Sequence, residues 1–304
     1  MTWTTLYQMN TIFISMVMEA IPFVLVGVLI SGLIQTFVKD QWIARIMPKN
    51  RFLATIFGCG IGIFFPSCEC GIVPITKRLI NKGMPLHAGI AFMLTGPIIN
   101  PIVLFSTYIA FGNDWEMVGI RAGLAIAVAF SVSIIVSFLF KDLPFRIQDG
   151  QAAAAHEHAS GIASVRIPMR KRLYEVIVHA VDEFFSVGKY LVLGAFIAAC
   201  MQTFVPTSYL LHLGSNPVTS SLVMIALAFL ISLCSEADAF IAASFRSTFT
   251  VGSLSAFLVF GPMIDIKNTL MLLGTYRSKF VFTLIALVTV FTLVGSLLVG
   301  RLFG

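Results

Sequence analysis

The sequence predicts an all-α, polytopic integral membrane protein with about eight transmembrane helices in two repeated halves and with helices that break at mid-membrane. Three observations support this fold class. The 304 residues are 58% hydrophobic and only 11% charged, whereas about 25% of the residues of a soluble domain are charged. Several apolar runs exceed the roughly 20 residues that span a bilayer. Short motifs also recur in the same order in both halves of the chain.

The apolar runs lie on both sides of one polar segment. Residues 141–172 are rich in small, polar and charged residues, and we expect them to form a cytoplasmic linker. The linker separates a first membrane repeat, 1–140, from a second, 173–304. Four candidate spans precede it and four follow it: 11–38, 52–81, 86–112 and 118–140, then 173–205, 218–248, 253–274 and 280–302.

The two halves share residues at a nearly constant offset. Gly27 recurs as Gly194 after 167 residues, and Cys68 recurs as Cys234 after 166. The pair at 96–97, Gly-Pro, recurs at 261–262 after 165 residues. The tetrapeptide Gln-Thr-Phe-Val at 35–38 also recurs at 202–205, after 167 residues. These ordered matches at almost one offset indicate an internal duplication, which is common in transporters whose sites lie at the repeat interface.

The basic residues predict the orientation less consistently. The linker carries six Lys and Arg residues, so the positive-inside rule places it in the cytoplasm, and four spans per half then place both termini there. The loop at 39–51 contains four basic residues on the opposite side of that count. Either this loop is an exception or one broken segment is re-entrant. Four spans per half would make the repeats parallel, and an odd number would make them inverted.

Short polar motifs interrupt four of the apolar runs, and three of these motifs contain proline and glycine. Proline removes a backbone donor, and irregular backbone at membrane depth is found buried in protein or lining a wet cavity. A half-helix that starts at such a break directs N–H groups and a positive dipole end at the site. The breaks read "PSCECG", "TGPIINP", "CSEAD" and "FGPMID", and the residues we assign to them are Pro66, Gly71, Gly96, Pro97, Pro101, Gly261 and Pro262.

Carboxylates accompany these breaks. An ionised carboxylate at mid-bilayer costs about 3 kcal/mol on insertion scales, so such groups are usually functional, paired or next to water. Glu69 has apolar runs on both sides, and Glu19 lies inside the first span. Salt bridges at a membrane-end loop are the alternative reading of these acids. The polar residues that we predict to contact substrate are Glu69, Asn100, Glu236, Asp238 and Asp265.

Three cysteines also lie at the breaks. Cys68 and Cys70 would point in different directions on a regular helix, so only an unwound turn aims both thiols at one ligand. The repeat relates Cys234 to Cys68. Two or three thiolates form a soft site suited to copper(I), zinc or trivalent arsenic. We therefore predict Cys68, Cys70 and Cys234 as substrate ligands and the first two as a candidate metal pair; packing of a small apolar residue is the alternative.

The segment "FFPSCECGIVPITKRLINKGMPLHAGIAFMLTGPIINPIV" at 64–103 resembles the predicted-permease family that includes YraQ-like and YcgR-like proteins and the organoarsenical efflux permease ArsP. Its Ser-Cys-Glu-Cys motif is closer to the YcgR-like branch. The resemblance implies a multi-pass permease of the cell membrane with about eight spans. It also implies, for one branch of the family, thiol ligation of trivalent organoarsenicals during efflux.

These patterns predict a secondary transporter that exports a small soft-metal, metalloid or thiol-reactive solute through a midplane site. The chain contains no Walker A motif, so a gradient or a separate subunit must supply energy. The alternative is a membrane subunit that anchors or regulates a partner protein without transporting by itself. We expect no enzymatic activity, no cofactor and no nucleic-acid partner, because loop Lys and Arg on one face explain the net charge of +6. The expected partners are the lipid bilayer, the solute and an accessory membrane protein.

Overall fold

The structure is a computed structural model, and it describes residues 3–38, 40–48, 50–64, 68–140, 143–145, 169–204 and 216–303. These residues form helices and no β-strand. The helices of the first half are α1 (Trp3–Phe37), α2 (Asp40–Ile46), α3 (Arg51–Phe64), α4 (Glu69–Asn81), α5 (Leu86–Ile99), α6 (Pro101–Ala110) and α7 (Trp115–Leu139). Those of the second half are α8 (Met169–Phe204), α9 (Pro217–Ile231), α10 (Ser235–Ser244), α11 (Val251–Met263), α12 (Ile266–Thr275) and α13 (Ser278–Phe303).

Helices α3 and α4 form a hairpin that enters and leaves the membrane at one face. Helix α3 runs parallel to α5, because Gly58 packs on Ala88 near the start of α5 and Gly62 packs on Gly96 near its end. Helix α4 runs antiparallel to α5, with Ile72 beside Gly96 and Ile80 beside Gly89. The chain therefore reverses its direction between Phe64 and Glu69 instead of crossing the bilayer.

Helices α9 and α10 form a second hairpin. Ala228, late in α9, and Asp238, early in α10, both lie against Gly261 of α11. Helix α10 then runs back toward the start of α11, which it reaches through the short connection at 245–250. The "CSEAD" segment is thus also a turn at membrane depth. Of the shorter apolar helices, α3 and α9 are the entering arms of these two hairpins.

Six helical segments are long and apolar enough to cross a membrane, three in each half. They are α1, the broken helix α5–α6, α7, α8, the broken helix α11–α12 and α13. The prediction of about eight spans differs from this because the segments 52–81 and 218–248 turn back. Three crossings per half give the two halves opposite directions in the membrane, the inverted arrangement that the sequence left open.

Contacts between loops confirm which ends share a face. The Lys82 ammonium donates to the Val38 carbonyl at 2.7 Å, and the Arg277 backbone N–H donates to the Pro144 carbonyl at 2.8 Å. At the opposite face, Arg246 donates to the Phe111 carbonyl at 3.3 Å. The ends of α1, α4, α7 and α12 therefore share the face at which the linker begins, whereas both termini lie at the other face.

The distribution of charge orients the molecule. At the linker face, the described helix ends carry Arg45, Arg51, Arg78, Lys82, Arg277 and Lys279, and at the other face they carry Arg246 and Arg301. The positive-inside rule favours a cytoplasmic linker face, and with six spans it would place both termini outside. Our prediction that both termini are cytoplasmic assumed four spans per half; with three spans per half, the same rule favours the opposite side. The basic loop at 39–51, of which Lys39 and Lys49 lie outside the described residues, is no longer an exception.

Two broken helices form the centre of the molecule. In the most apolar windows of α5–α6 and α11–α12, 78% and 83% of the residues are buried, against 28% for α1, α8 and α13. The long helices therefore face lipid, and the broken helices are surrounded by protein. This burial provides the setting in which interrupted backbone is tolerated at membrane depth.

Several predicted break residues lie inside helices. Gly96 and Pro97 are within α5, which continues to Ile99, and Gly261 and Pro262 are within α11. Proline fits helical φ, and neighbouring helices compensate for the lost hydrogen bond in a membrane protein. The first break falls at Asn100 because Pro101 disfavours helical geometry in the residue before it; Asn100 is extended, with φ −68° and ψ 149°.

The second break falls at Asp265, which is extended and caps the next helix. At the first hairpin, Gly71 is in the opening turn of α4, not at the break itself. Its lack of a side chain is used for packing, because the Gly71 Cβ position would lie 3.1 Å from the Phe23 carbonyl of α1. Pro66 lies outside the described residues.

Candidate functional site

The N-termini of four short helices meet at the middle of the membrane. Helices α4 and α12 run from this point to the cytoplasmic face, and α6 and α10 run from it to the outer face, as the loop contacts require. The N-cap residues are Cys68, Asn100, Cys234 and Asp265. Four positive helix ends therefore converge on one region, which favours negative groups there.

Side chains cap only two of these four helices. The Asn100 amide oxygen accepts the Val103 backbone N–H at 2.9 Å, and Asp265 Oδ1 accepts the Asn268 N–H at 2.6 Å. Cys68 and Cys234 make no side-chain cap hydrogen bond. The two hairpin tips thus present thiols where a helix normally has an oxygen acceptor, and they leave first-turn N–H groups without a capping oxygen.

An acid–lysine cluster joins the first hairpin to the second broken helix. The Lys267 ammonium lies 3.7 Å from Asp265 Oδ2 and 4.0 Å from Glu69 Oε1. All three side chains are buried, with exposures of 4%, 1% and 1%. Glu69 comes from α4 and the other two from α12, so this cluster is built from both halves of the chain.

A second buried cation lies on the other side of the tips. Arg121 of α7 is fully buried, donates to Thr107 Oγ1 at 2.6 Å and donates to the Ser235 carbonyl at 2.9 Å. Asp238 of the same hairpin is also buried, with an exposure of 3%. The arginine therefore ties α7 of the first half to the second hairpin.

The two clusters meet through one contact between the hairpin tips. Ser235 Oγ donates to Glu69 Oε2 at 3.4 Å. Glu236 is half-buried next to Ser235, and its charge acts on both Glu69 and Arg121. The residues predicted from four separate breaks therefore belong to one continuous polar region, although Asn100 contributes its side chain mainly to capping.

Acids outnumber bases in this region. Three buried carboxylates, Glu69, Asp238 and Asp265, face two buried cations. One oxygen of each carboxylate accepts no hydrogen bond from the described residues: Glu69 Oε1, Asp238 Oδ2 and Asp265 Oδ2. Uncompensated carboxylates are costly at this depth. The arrangement can therefore accept a proton, a cation or a hydrogen-bond donor.

The thiols divide between the two tips. Cys68 caps α4 and Cys70 lies in its first turn, and both residues are buried, with exposures of 8% and 2%. Cys234, the corresponding cap of α10, is buried as well, whereas Glu19 is exposed in the middle of α1. Within the described residues, no group of three or more Cys, His, Asp and Glu side chains is close enough to hold a metal ion. Two of the three thiols therefore lie in one turn, at the tip of the first hairpin.

Sequence reasoning missed both cations of the site. Arg121 lies six residues inside an apolar span, and Lys267 follows Asp265 by two positions. The same depth argument that identified the acids could have found them. Arg246, the cation nearest to Glu236 and Asp238 in sequence, instead donates to Phe111 at the outer face.

A third cluster of polar side chains connects the long helices near the cytoplasmic face. Ser31 Oγ of α1 donates to Glu183 Oε2 of α8 at 2.7 Å, and Arg78 Nε of α4 lies 3.5 Å from the same oxygen. Glu183 is 8% exposed. The cluster therefore connects α1, α8 and the first hairpin about two turns from its tip.

The chain matches a family described as predicted permeases over residues 5–301. The UPF0718 protein YcgR of Bacillus subtilis is 59% identical over 292 residues, which cover 96% of this chain and 97% of that protein. A Streptococcus mutans protein, provisionally named a two-component membrane permease complex subunit, is 41% identical over 98% of this chain and 96% of its own length. The UPF0718 protein YraQ of Escherichia coli is 22% identical over 39% of this chain and 34% of its own. No solved structure matches.

Proposed function

The chain belongs to the predicted-permease family, and from that premise we propose that it is a secondary transporter with its substrate site between the two hairpin tips. Six spans and family membership make it a multi-pass protein of the cell membrane. The family also indicates a transporter rather than an enzyme. The observation that carries the proposal is the convergence of four helix N-termini and five buried charged side chains at mid-membrane.

The chemistry of the site favours a soft or thiol-reactive solute. Cys68 and Cys70 provide two sulfur donors, and Cys234 lies across the tips within electrostatic range of Glu69. Sulfur donors prefer copper(I), zinc and trivalent arsenic to magnesium or calcium. A trivalent arsenical needs only two thiols, so the pair at the first tip is sufficient for it. We propose such a metalloid, or a soft metal ion, as the exported substrate.

The remaining polar residues have complementary roles in this proposal. Glu69, Asp238 and Asp265 supply acceptors and balance charge, with Glu236 at the half-buried edge and Asn100 shaping the start of α6. A carboxylate that loses its ion-pair partner as substrate enters can bind a coupled proton. Export would then use the proton gradient.

The test is resistance of a metalloid-sensitive host that expresses the chain. The Cys68→Ala/Cys70→Ala variant is expected to lose resistance to trivalent arsenicals or soft metals at an unchanged level of protein in the membrane. Cys59→Ala is the matched control, because Cys59 is also a buried cysteine but lies in α3, away from the tip. Equal resistance and equal accumulation for both variants across the panel would contradict the thiol site.

A second candidate function is that of a subunit in a two-component permease. The Streptococcus mutans relative is named as such a subunit, and its similarity to this chain covers 96% of its own length. In this case an accessory membrane protein is required, and the basic linker is its docking segment. Deleting residues 148–165 distinguishes the two: loss of function in the deletion, together with retained function in the Cys68→Ala/Cys70→Ala and Asp265→Asn variants, would favour the subunit.

A further inference from the structure

The two long helices α1 and α8 form an antiparallel pair. The rings of Phe13 and Phe196 are 6.0 Å apart, and Gly32 packs on the Val176 backbone near the other end of the pair. Ser31 and Glu183 add a buried hydrogen bond of 2.7 Å. These contacts extend over most of the pair, so it can move as one body.

This pair packs tightly on the cytoplasmic half of the site. A Cβ at Gly27 of α1 would lie 2.7 Å from the Gly71 Cα of α4. A Cβ at Gly194 of α8 would lie 2.8 Å from the Lys267 Cα of α12. The two glycines therefore let α1 and α8 cover the two helices that run to the cytoplasmic face.

The outer half of the site lacks this cover. Among the described residues, α1 makes no comparable contact with α6, and α8 makes none with α10. Residues related by the repeat offset differ in their exposed fraction. Lys267 is 4% exposed, whereas its counterpart Ile102, 165 residues earlier, is 56% exposed. Likewise, Pro74 is buried, whereas Phe240, 166 residues later, is 53% exposed.

We infer that the uncovered face of α6 and α10 is a second docking surface for the α1–α8 pair, occupied in another conformation of the protein. This inference rests on the proposed transport function. The offset between the halves assigns each residue a counterpart in the other half, so each present contact predicts one contact of the second conformation. The contact of Gly27 with Gly71 predicts a contact of Gly194 with Ala237, which is again a pair of small residues. The contact of Gly194 with Lys267 predicts a contact of Gly27 with Ile102.

The side chain contacts follow the same exchange. Tyr190 packs on Gly274 in the present state, and the Phe23 carbonyl lies at Gly71. The exchanged contacts are the Phe23 side chain against Ile109 and the Tyr190 carbonyl, a backbone group, against Ala237. Phe23 and Ile109 are 40% and 48% exposed now, so each has surface free for a new partner.

The two glycine contacts require the same displacement. Gly27 moves from Gly71, three residues after the Cys68 cap, to Ile102, two residues after the Asn100 cap, and Gly194 moves likewise from Lys267 to Ala237, so each crosses the midplane by five residues. At 1.5 Å per residue this is about 7 Å, or between one and two helical turns, toward the outer face. Because α1 and α8 shift in the same direction by the same amount, their mutual contacts are preserved.

The movement would change access to the site. In the present state, α8 packs on the backbone of Lys267, which belongs to the acid–lysine cluster and is 4% exposed. In the second state this cover is removed, and the outer half is covered instead. The exchange is therefore an alternating-access step of the kind expected for inverted repeats.

The polar contacts around Glu183 favour the present state. Arg78, Ser31 and Glu183 hold α1 and α8 on α4. Their counterparts in the opposite halves are Ser244, Ala198 and Met16, which carry no charge. Glu183→Gln weakens the contacts of this side chain with Arg78 and Ser31, and it should therefore shift the population toward the second state.

The test is cysteine cross-linking in membranes, with the five native cysteines replaced. The pair Phe23→Cys/Ile109→Cys should form an intramolecular disulfide, and adding Glu183→Gln should raise its yield several-fold. Tyr190→Cys/Ala237→Cys tests the same state through α8. Phe13→Cys/Phe196→Cys is the control, because this α1–α8 contact is expected to persist in both states.

No cross-link in either test pair, while the control pair reacts, would overturn the inference. A disulfide between two chains would also overturn it and would identify a second copy as the occupant. The assay measures position, not transport. A cross-link in a chain whose substrate is wrongly assigned would therefore leave the inference intact while the proposed substrate fails.

Discussion

The two hairpins have the same architecture but carry different chemistry. The first tip provides two thiols and the buried acid Glu69, and the second provides one thiol, a serine and two acids. Their cations come from elsewhere: Lys267 from the second broken helix serves the first tip, and Arg121 of α7 serves the second. Thus each hairpin tip contacts a buried cation that comes from the other half of the chain.

The two tips also differ in burial. The first turns of α4 are buried throughout, whereas α10 exposes Phe240 and half-exposes Glu236. The long helices cause the difference, because α1 and α8 cover only the cytoplasmic side. This unequal cover of the two hairpins is what the proposed exchange of the α1–α8 pair between two docking surfaces predicts for one of its states.

The largest expected effect is the loss of Arg121. Arg121→Leu removes the buried hydrogen bonds to Thr107 and the Ser235 carbonyl and leaves the buried acids, Asp238 among them, with one cation fewer; removing one partner of buried charges in this way is expected to lower the free energy of unfolding by about 3–5 kcal/mol. Thermal unfolding of the detergent-solubilised chain measures it. Adding Asp238→Asn should recover part of the loss, because the unpaired charge is removed. A single variant as stable as the parent would show that the second tip does not depend on this pair.

A smaller effect is expected where the first hairpin meets α1. Gly27→Ala introduces a methyl group 2.7 Å from Gly71 Cα, and overpacking of this kind costs about 1–3 kcal/mol. Gly60→Ala is the matched control, because nothing lies within 4 Å of its Cβ position. The same thermal assay compares them. Equal unfolding temperatures would mean that the close approach of α1 and α4 is not rigid.

The smallest effect should come from Glu236, the half-buried acid. Glu236→Gln is expected to change stability by no more than about 0.5 kcal/mol and to retain most transport. Glu69→Gln is the comparison at the other tip, where the buried carboxylate contacts both Lys267 and Ser235, and it should reduce transport strongly. Host resistance at matched expression measures both, and similar losses in the two variants would remove the distinction between the tips.

Much of this arrangement could be predicted from sequence because the bilayer limits the options. Apolar length identified membrane segments, and charge at depth identified Glu69, Asp238 and Asp265, which the structure brings together. Hydropathy could not show that 52–81 and 218–248 turn back, because a hairpin of two half-length apolar helices has the same composition as one span. Only packing against α5 and α11 distinguishes them.

The sequence predicted that these helices are interrupted, but it did not predict the residues at which they end. Pro97 and Pro262 mark the vicinity, yet the helices end at Ile99 and Met263. The decisive local signals were a proline after Asn100 and a capping carboxylate at Asp265. Pairings such as Arg121 with the second tip join residues more than a hundred positions apart, so no local pattern could specify them.

The central claim is that a solute binds at the meeting point of the tips through Cys68 and Cys70. Native mass spectrometry of the purified chain with phenylarsine oxide tests it most directly. One bound arsenical per chain is expected for the parent and for Cys59→Ala, and none for Cys68→Ala/Cys70→Ala. Binding that persists in the double variant, or that is absent from the parent, would contradict the claim.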